Sequence, residues 1–202
     1  MMQQTNVKKG LTVKDLVTTG IFSALFIVFV LIGGMLFAPN PVLTYLMPMG
    51  AALLSGPVYL LLVAKVPKNG PVIILGVLEG LIMFVTGMYW LWAVACVVLG
   101  VVANFIAAAG KFKNRAINIV SFLVYSLNPM GSYMMLWINR DSYAQYLVGK
   151  GTETAYMETM LATAQGWMLP AMVAGTLVCA FVSALVGQKL LKKQFEKAGA
   201  TQ

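Results

Sequence analysis

Residues 16–37 form an apolar run without a single charged side chain, reading LVTTGIFSALFIVFVLIGGMLF. A bilayer crossing takes about 20 predominantly apolar residues in helical form, because every backbone N–H and C=O must be satisfied inside the segment once water is excluded. This stretch therefore commits the chain to a membrane architecture. The make-up agrees: 60% of the residues are hydrophobic and 10% are charged, against about 25% charged in an ordinary soluble domain. The run is of full span length and meets Ala38-Pro39-Asn40-Pro41 rather than a small-residue cleavage site, so it reads as a retained helix and not as a cleaved signal peptide. In its early turns Gly20 and Ala24, with Ser23 beside them, place minimal side chains on one face, one helical turn apart. Such a face serves either close packing within one bundle or docking of a separate membrane protein.

Further apolar runs follow at about 45–64, 71–88, 89–109, 116–138 and 167–190, separated by Pro, Gly, Asn and Lys-rich turns, so the expected fold is an all-α integral membrane protein with six transmembrane helices in a single domain. The longest connection, 139–166, is polar, and its stretch 152–163 has the composition of a short surface helix. Six crossings put the N-terminus, the second-to-third loop, the fourth-to-fifth loop and the C-terminus on one side. Those segments hold every Lys and Arg except Arg140 and Lys150. Basic residues are retained in the cytoplasm, which places both termini inside and the 139–166 loop outside. The same dispersal of the net +8 charge over short membrane-edge loops fits orientation and contact with the lipid bilayer, and excludes nucleic acid as a partner. No internal repeat points to an inverted-repeat transporter.

Glu79 is the only Asp, Glu, Lys or Arg well inside an apolar run, in LGVLEGL. A carboxyl at membrane depth is costly unless it is paired or faces a polar cavity, which makes it a candidate for function. The structural alternative is a protonated carboxyl bonded to a neighbouring helix, with Gly76 and Gly80 permitting the approach. Aromatic residues gather where the spans near the outer side: Tyr45, Tyr89, Trp90, Trp92, Tyr133, Trp137 and Trp167. These are either an interfacial aromatic belt or a cup whose rings stack on a small ligand while Asn128, Asn104, Glu79 or Gln165 orient it. Asn128-Pro129 interrupts the fifth span, and the backbone groups so freed are tolerated only against protein or a polar cavity. The methionines are scattered and read as flexible packing, and Cys96 and Cys179, both in apolar runs, read as small hydrophobes. The sequence has no histidine, no phosphate-binding G-x-x-x-x-G-K-[ST] loop, no H-E-x-x-H and no G-x-S-x-G. An enzyme is not expected, nor a cofactor or a metal site.

Six spans in about 200 residues, the small-residue face on the first of them, and the segments LVTTGIFSALF, VPKNGPVIILGVLEGLIMFVTGMYW and NPMGSY together resemble the substrate-binding S component of an energy-coupling factor (ECF) transporter, most of all its Trep_Strep-type branch. The resemblance implies a subunit that captures a vitamin-like micronutrient from outside and then associates with a transmembrane T component and two cytoplasmic ATPases. It implies that Gly20 and Ala24 take the two positions of the family's A-x-x-x-A docking motif, with Gly in place of the first Ala and Ser23 alongside. It also implies a ligand pocket in the outer loops and the outer halves of the later helices, close to Trp90, Trp92, Asn128, Tyr133, Trp137 and Trp167, and the residue reading adds Glu79 to the groups expected to hold an organic solute. A contact through Glu79 favours a cationic or amino-bearing cargo. The nickel and cobalt members carry an N-terminal histidine segment that this chain lacks, which argues against a free metal ion as cargo. The rival readings are a stand-alone ion-coupled secondary transporter with Glu79 as its proton site, an intramembrane enzyme acting on lipid, and a purely structural subunit.

Overall fold

A computed structural model describes residues 10–197, so the basic pair Lys8 and Lys9 counted above lies outside the described residues. The elements in order are α1 (Val13–Met35), a 3-10 turn (Leu43–Leu46), α2 (Met47–Lys65), α3 (Pro71–Val85), α4 (Trp90–Ala109), α5 (Arg115–Tyr125), α6 (Met130–Tyr133), α7 (Met135–Ile138), α8 (Arg140–Gly149), α9 (Thr154–Thr163) and α10 (Met168–Lys197). Among the described residues there is no strand. Five helical segments are long and apolar enough to cross a membrane: Val13–Met35, Leu43–Lys65, Trp90–Ala109, Arg115–Ile138 and Met168–Lys192.

The remaining apolar helix, α3, has 15 residues, which at about 1.5 Å per residue falls short of a hydrocarbon core about 30 Å thick. The span expected over 71–88 is thus curtailed. In the turn that follows, Thr86 Oγ1 donates back to the carbonyls of Ile82 and Met83, at 2.9 and 3.0 Å. Gly87 then takes a left-handed φ of 86°, which ends the helix before Tyr89.

The long helices pack as a closed ring in the order α1, α2, α10, α5, α4, α3 and back to α1. The ring closes where glycine removes a side chain. Gly33 of α1 sits directly on the backbone of Gly50 in α2, and Gly76 of α3 on Gly100 of α4, approaches that a Cβ would block. Between α2 and α10 the Ser183 hydroxyl accepts from Gly56 N at 3.1 Å and donates to the Leu53 carbonyl at 2.6 Å. The centre is filled by Phe26, Tyr59, Phe122 and Tyr125, with Tyr59 and Tyr125 stacked at 5.6 Å between centroids. Outward faces are apolar, as on α1, where Val17, Ile21, Val28 and Ile32 are exposed.

The break expected at Asn128-Pro129 is present: α5 ends at Tyr125 and the chain restarts at Met130. Its freed carbonyls are taken up locally, with Ser126 Oγ donating to Leu123 O at 2.8 Å and Asn128 Nδ2 to Tyr125 O at 3.0 Å. The connection 139–166 is more ordered than its composition predicts. Beside the helix foreseen over 152–163 it contains α8, started by Asn139, whose side chain accepts from Ser142 N at 3.2 Å.

Candidate functional site

Helices α8 and α9 cover one end of the ring and enclose a cavity of about 340 Å³ beneath them. Its walls come from the C-terminal part of α1, the 3-10 turn, the α3–α4 junction and α6. Thioethers dominate the lining, with Met35, Met47, Met83, Met88, Met157 and Met160, joined by the rings of Tyr89, Trp92, Tyr133, Tyr143 and Tyr156. No Asp, Glu, Lys or Arg lines it.

Several hydroxyl groups around the cavity are tied to the protein and hold the cap in place. Tyr156 donates to the Ala38 carbonyl at 2.7 Å, joining α9 to the end of α1. Tyr45 donates to the Met160 carbonyl at 2.6 Å, and Tyr133 to the Thr44 carbonyl at 2.8 Å. The Arg140 guanidinium donates to the Leu161 carbonyl, fastening α8 to α9. Burial pushes the phenols of Tyr143 and Tyr156 up, so both stay protonated and neutral. The result is a partly open, uncharged chamber with aromatic faces and polarisable sulfur, suited to an apolar or aromatic solute.

The residues singled out in the sequence divide into three groups. Trp92 and Tyr133 line the cavity. Asn128 and Glu79 lie under its floor: Trp92 Nε1 donates to Asn128 Oδ1 at 2.6 Å, and Tyr125, whose carbonyl accepts from Asn128, donates its hydroxyl to Glu79 Oε2 at 2.5 Å. Glu79 is fully buried and absent from the cavity wall. Its environment is that of a carboxyl bonded to a neighbouring helix, with Gly80 against the Ala93 carbonyl of α4.

Trp90, Trp137 and Trp167 do not line this cavity. Trp90 is 44% exposed, since two positions along a helix from Trp92 puts it on the opposite side. Trp137 Nε1 donates to the Gln165 carbonyl at 3.1 Å, and Trp167, 64% exposed, to Gln165 Oε1 at 2.6 Å. These rings lie at the rim, as interfacial aromatics do. Asn104 is at the far end, accepting from Gly70 N at 3.1 Å.

The lining that sequence reasoning missed is the methionine set and the tyrosines of the cap. Methionines far apart in the chain carry no local signal of convergence. The inward stripe Tyr156, Met157 and Met160 on α9 did carry one, in its helical spacing.

On α1 the small residues separate by role. Ser23 is buried against the ring, whereas Ala24 is exposed and the position of a Cβ on Gly20 meets no atom within 4 Å. Close approach of α1 to α2 uses Gly33 instead, so the Gly20–Ala24 face is left open within the chain.

Residues 13–197 match the Trep_Strep family, described as hypothetical bacterial integral membrane proteins. The chain belongs to this family. No curated protein and no solved structure gives a significant match. Family membership and the membrane-length helices together make this Trep_Strep member a multi-pass integral membrane protein of a bacterial type.

Proposed function

We propose that this Trep_Strep protein is the substrate-capture (S) subunit of an ECF-type importer, taking a small organic micronutrient from outside and handing it to a T component and two ATPases. In this reading the chain crosses six times, with α3 as a short crossing, and both termini face the cytoplasm. The observation that carries the proposal is the capped, uncharged cavity at the end of the bundle away from the basic loops. The open Gly20–Ala24 face supports it, because a subunit without its own phosphate-binding loop needs a surface on which to engage an energised partner.

The uncharged lining favours an uncharged, largely apolar or aromatic molecule as cargo. Glu79 stands outside the wall, so the cationic cargo that a Glu79 contact favours loses its support. Native mass spectrometry of the full chain in mild detergent tests the reading: a retained neutral organic molecule is expected, and its loss in Tyr133→Ala assigns it to the cavity. A protein that retains nothing, and that drives uptake alone when reconstituted in liposomes under a proton gradient, would instead be an ion-coupled transporter. For the partner contact, Gly20→Leu and Ala24→Leu are expected to abolish uptake while cargo binding stays intact. Normal uptake in both variants refutes that docking face.

A further inference from the structure

The end of the bundle opposite the cavity holds a second concavity that the capture reading leaves unused. It has a volume of about 330 Å³ and lies between the C-terminal turns of α2 and α10 and the 111–115 turn. Lys113, Arg115 and Lys192 line it. Among the described residues no carboxylate pairs with Lys113 or Arg115. The turn that presents them is held in one shape: Lys111 and Phe112 take left-handed φ values of 52° and 58°, and Asn118 Nδ2 donates to the Phe112 carbonyl at 3.0 Å.

That bond fixes the orientation of the Asn118 amide and makes its other atom, Oδ1, an acceptor. Asn118 is only 9% exposed, it lines the concavity, and its Oδ1 has no hydrogen-bond partner. A buried acceptor without a donor is destabilising, so the site asks for an uncharged hydroxyl donor as well as for net negative charge, since an ammonium there would meet Lys113 and Arg115. Leu60 and Leu191 supply an apolar wall beside the polar groups.

A phosphodiester anion that also carries a free hydroxyl meets both demands, and acyl chains suit the leucine wall. We propose that this cleft binds the headgroup of an anionic glycerol-bearing phospholipid, with Lys113 and Arg115 on the phosphate and Asn118 Oδ1 accepting from the glycerol hydroxyl. The site does not depend on the cargo assignment, and its test leaves the cavity untouched.

The full chain in mild detergent is titrated with phosphatidylglycerol, phosphatidylethanolamine and water-soluble glycerophosphoglycerol, and the molecules retained are read by native mass spectrometry. Phosphatidylglycerol is expected to be held about tenfold more tightly than phosphatidylethanolamine, and the K113Q/R115Q double variant, changed only at exposed positions, to lose that preference. A Lys14→Gln variant, neutralised at the start of α1 and away from the cleft lining, is expected to keep it. Equal retention of the two lipids, or an undiminished preference in K113Q/R115Q, overturns the proposal. Displacement of the lipid by an equal concentration of the soluble headgroup overturns a lipid occupant in favour of a free phosphodiester.

Discussion

The two ends of this bundle are framed by the same long helices and treat polar groups in opposite ways. At the capped end the cavity wall contains no charged side chain, and three tyrosine hydroxyls near it close on backbone carbonyls: Tyr156 on Ala38, Tyr133 on Thr44, Tyr45 on Met160. At the basic end Lys113 and Arg115 line the concavity, and the buried acceptor Asn118 Oδ1 has no hydrogen-bond partner. The difference lies in what each end offers a ligand. The capped end offers mainly dispersion and ring faces, whereas the basic end offers positive charge, which acts at the membrane surface and is screened by salt.

Trp92→Ala strikes hardest at the capped end. It deletes the cavity floor, where Trp92 is 2% exposed, and leaves Asn128 Oδ1 without its indole donor. A loss of about 3–5 kcal/mol is expected, read as a large drop in the unfolding temperature in detergent. A near wild-type unfolding temperature would mean that the floor contributes little to the fold.

The next effect contrasts the two small-residue sites on α1. Gly33→Ala drives a Cβ into the Gly50 backbone and is expected to cost about 1–3 kcal/mol, whereas Gly20→Ala, with open space at its Cβ, is expected to stay within about 0.5 kcal/mol of wild type. Equal effects at both positions would break the distinction between the packed and the open part of the helix.

Glu79 sharpens the comparison from the centre. Glu79→Leu strips the Tyr125 hydroxyl of its acceptor and is expected to destabilise by about 1–3 kcal/mol, while Glu79→Gln keeps an acceptor there and is expected to lose less than about 1 kcal/mol. Cargo affinity is expected to be unchanged in Glu79→Gln. A loss of binding by that variant at an unchanged unfolding temperature would bring the carboxyl into the site.

The smallest effect belongs to the surface of the basic end. Lys68 Nζ meets Asp15 Oδ2 at 2.7 Å near the start of α1, and Lys68→Met is expected to leave the unfolding temperature unchanged within error at physiological salt. A clear drop would show that this end draws stability from its surface charges.

Much of the helical framework was legible because a membrane leaves so few options: long uncharged runs must be helical, and Asn128-Pro129 must interrupt one. The exact end of α3 was not, since the apolar run continues to Met88 while the helix stops at Val85, ahead of the left-handed Gly87, and hydropathy does not encode that backbone geometry. Of the candidate cavity, Trp92 and Tyr133 were picked from an aromatic pattern, yet the same pattern also picked Trp90, Trp137 and Trp167, which lie off the wall. An amphipathic ring is favourable both in a pocket and at an interface, and composition alone weighs the two alike.

What the sequence by itself determined is the class: an all-helical membrane protein with its basic residues gathered in particular loops, because apolar length and charge placement act residue by residue. What only the tertiary structure decided is which side chains meet. The ring closure at Gly33–Gly50 and Gly76–Gly100, the gathering of Met35, Met83 and Met160 around one cavity, and the withdrawal of Glu79 behind Tyr125 all join residues distant in the chain. Such meetings are set by how helices approach and rotate against one another, a property of the packed bundle that no single segment carries.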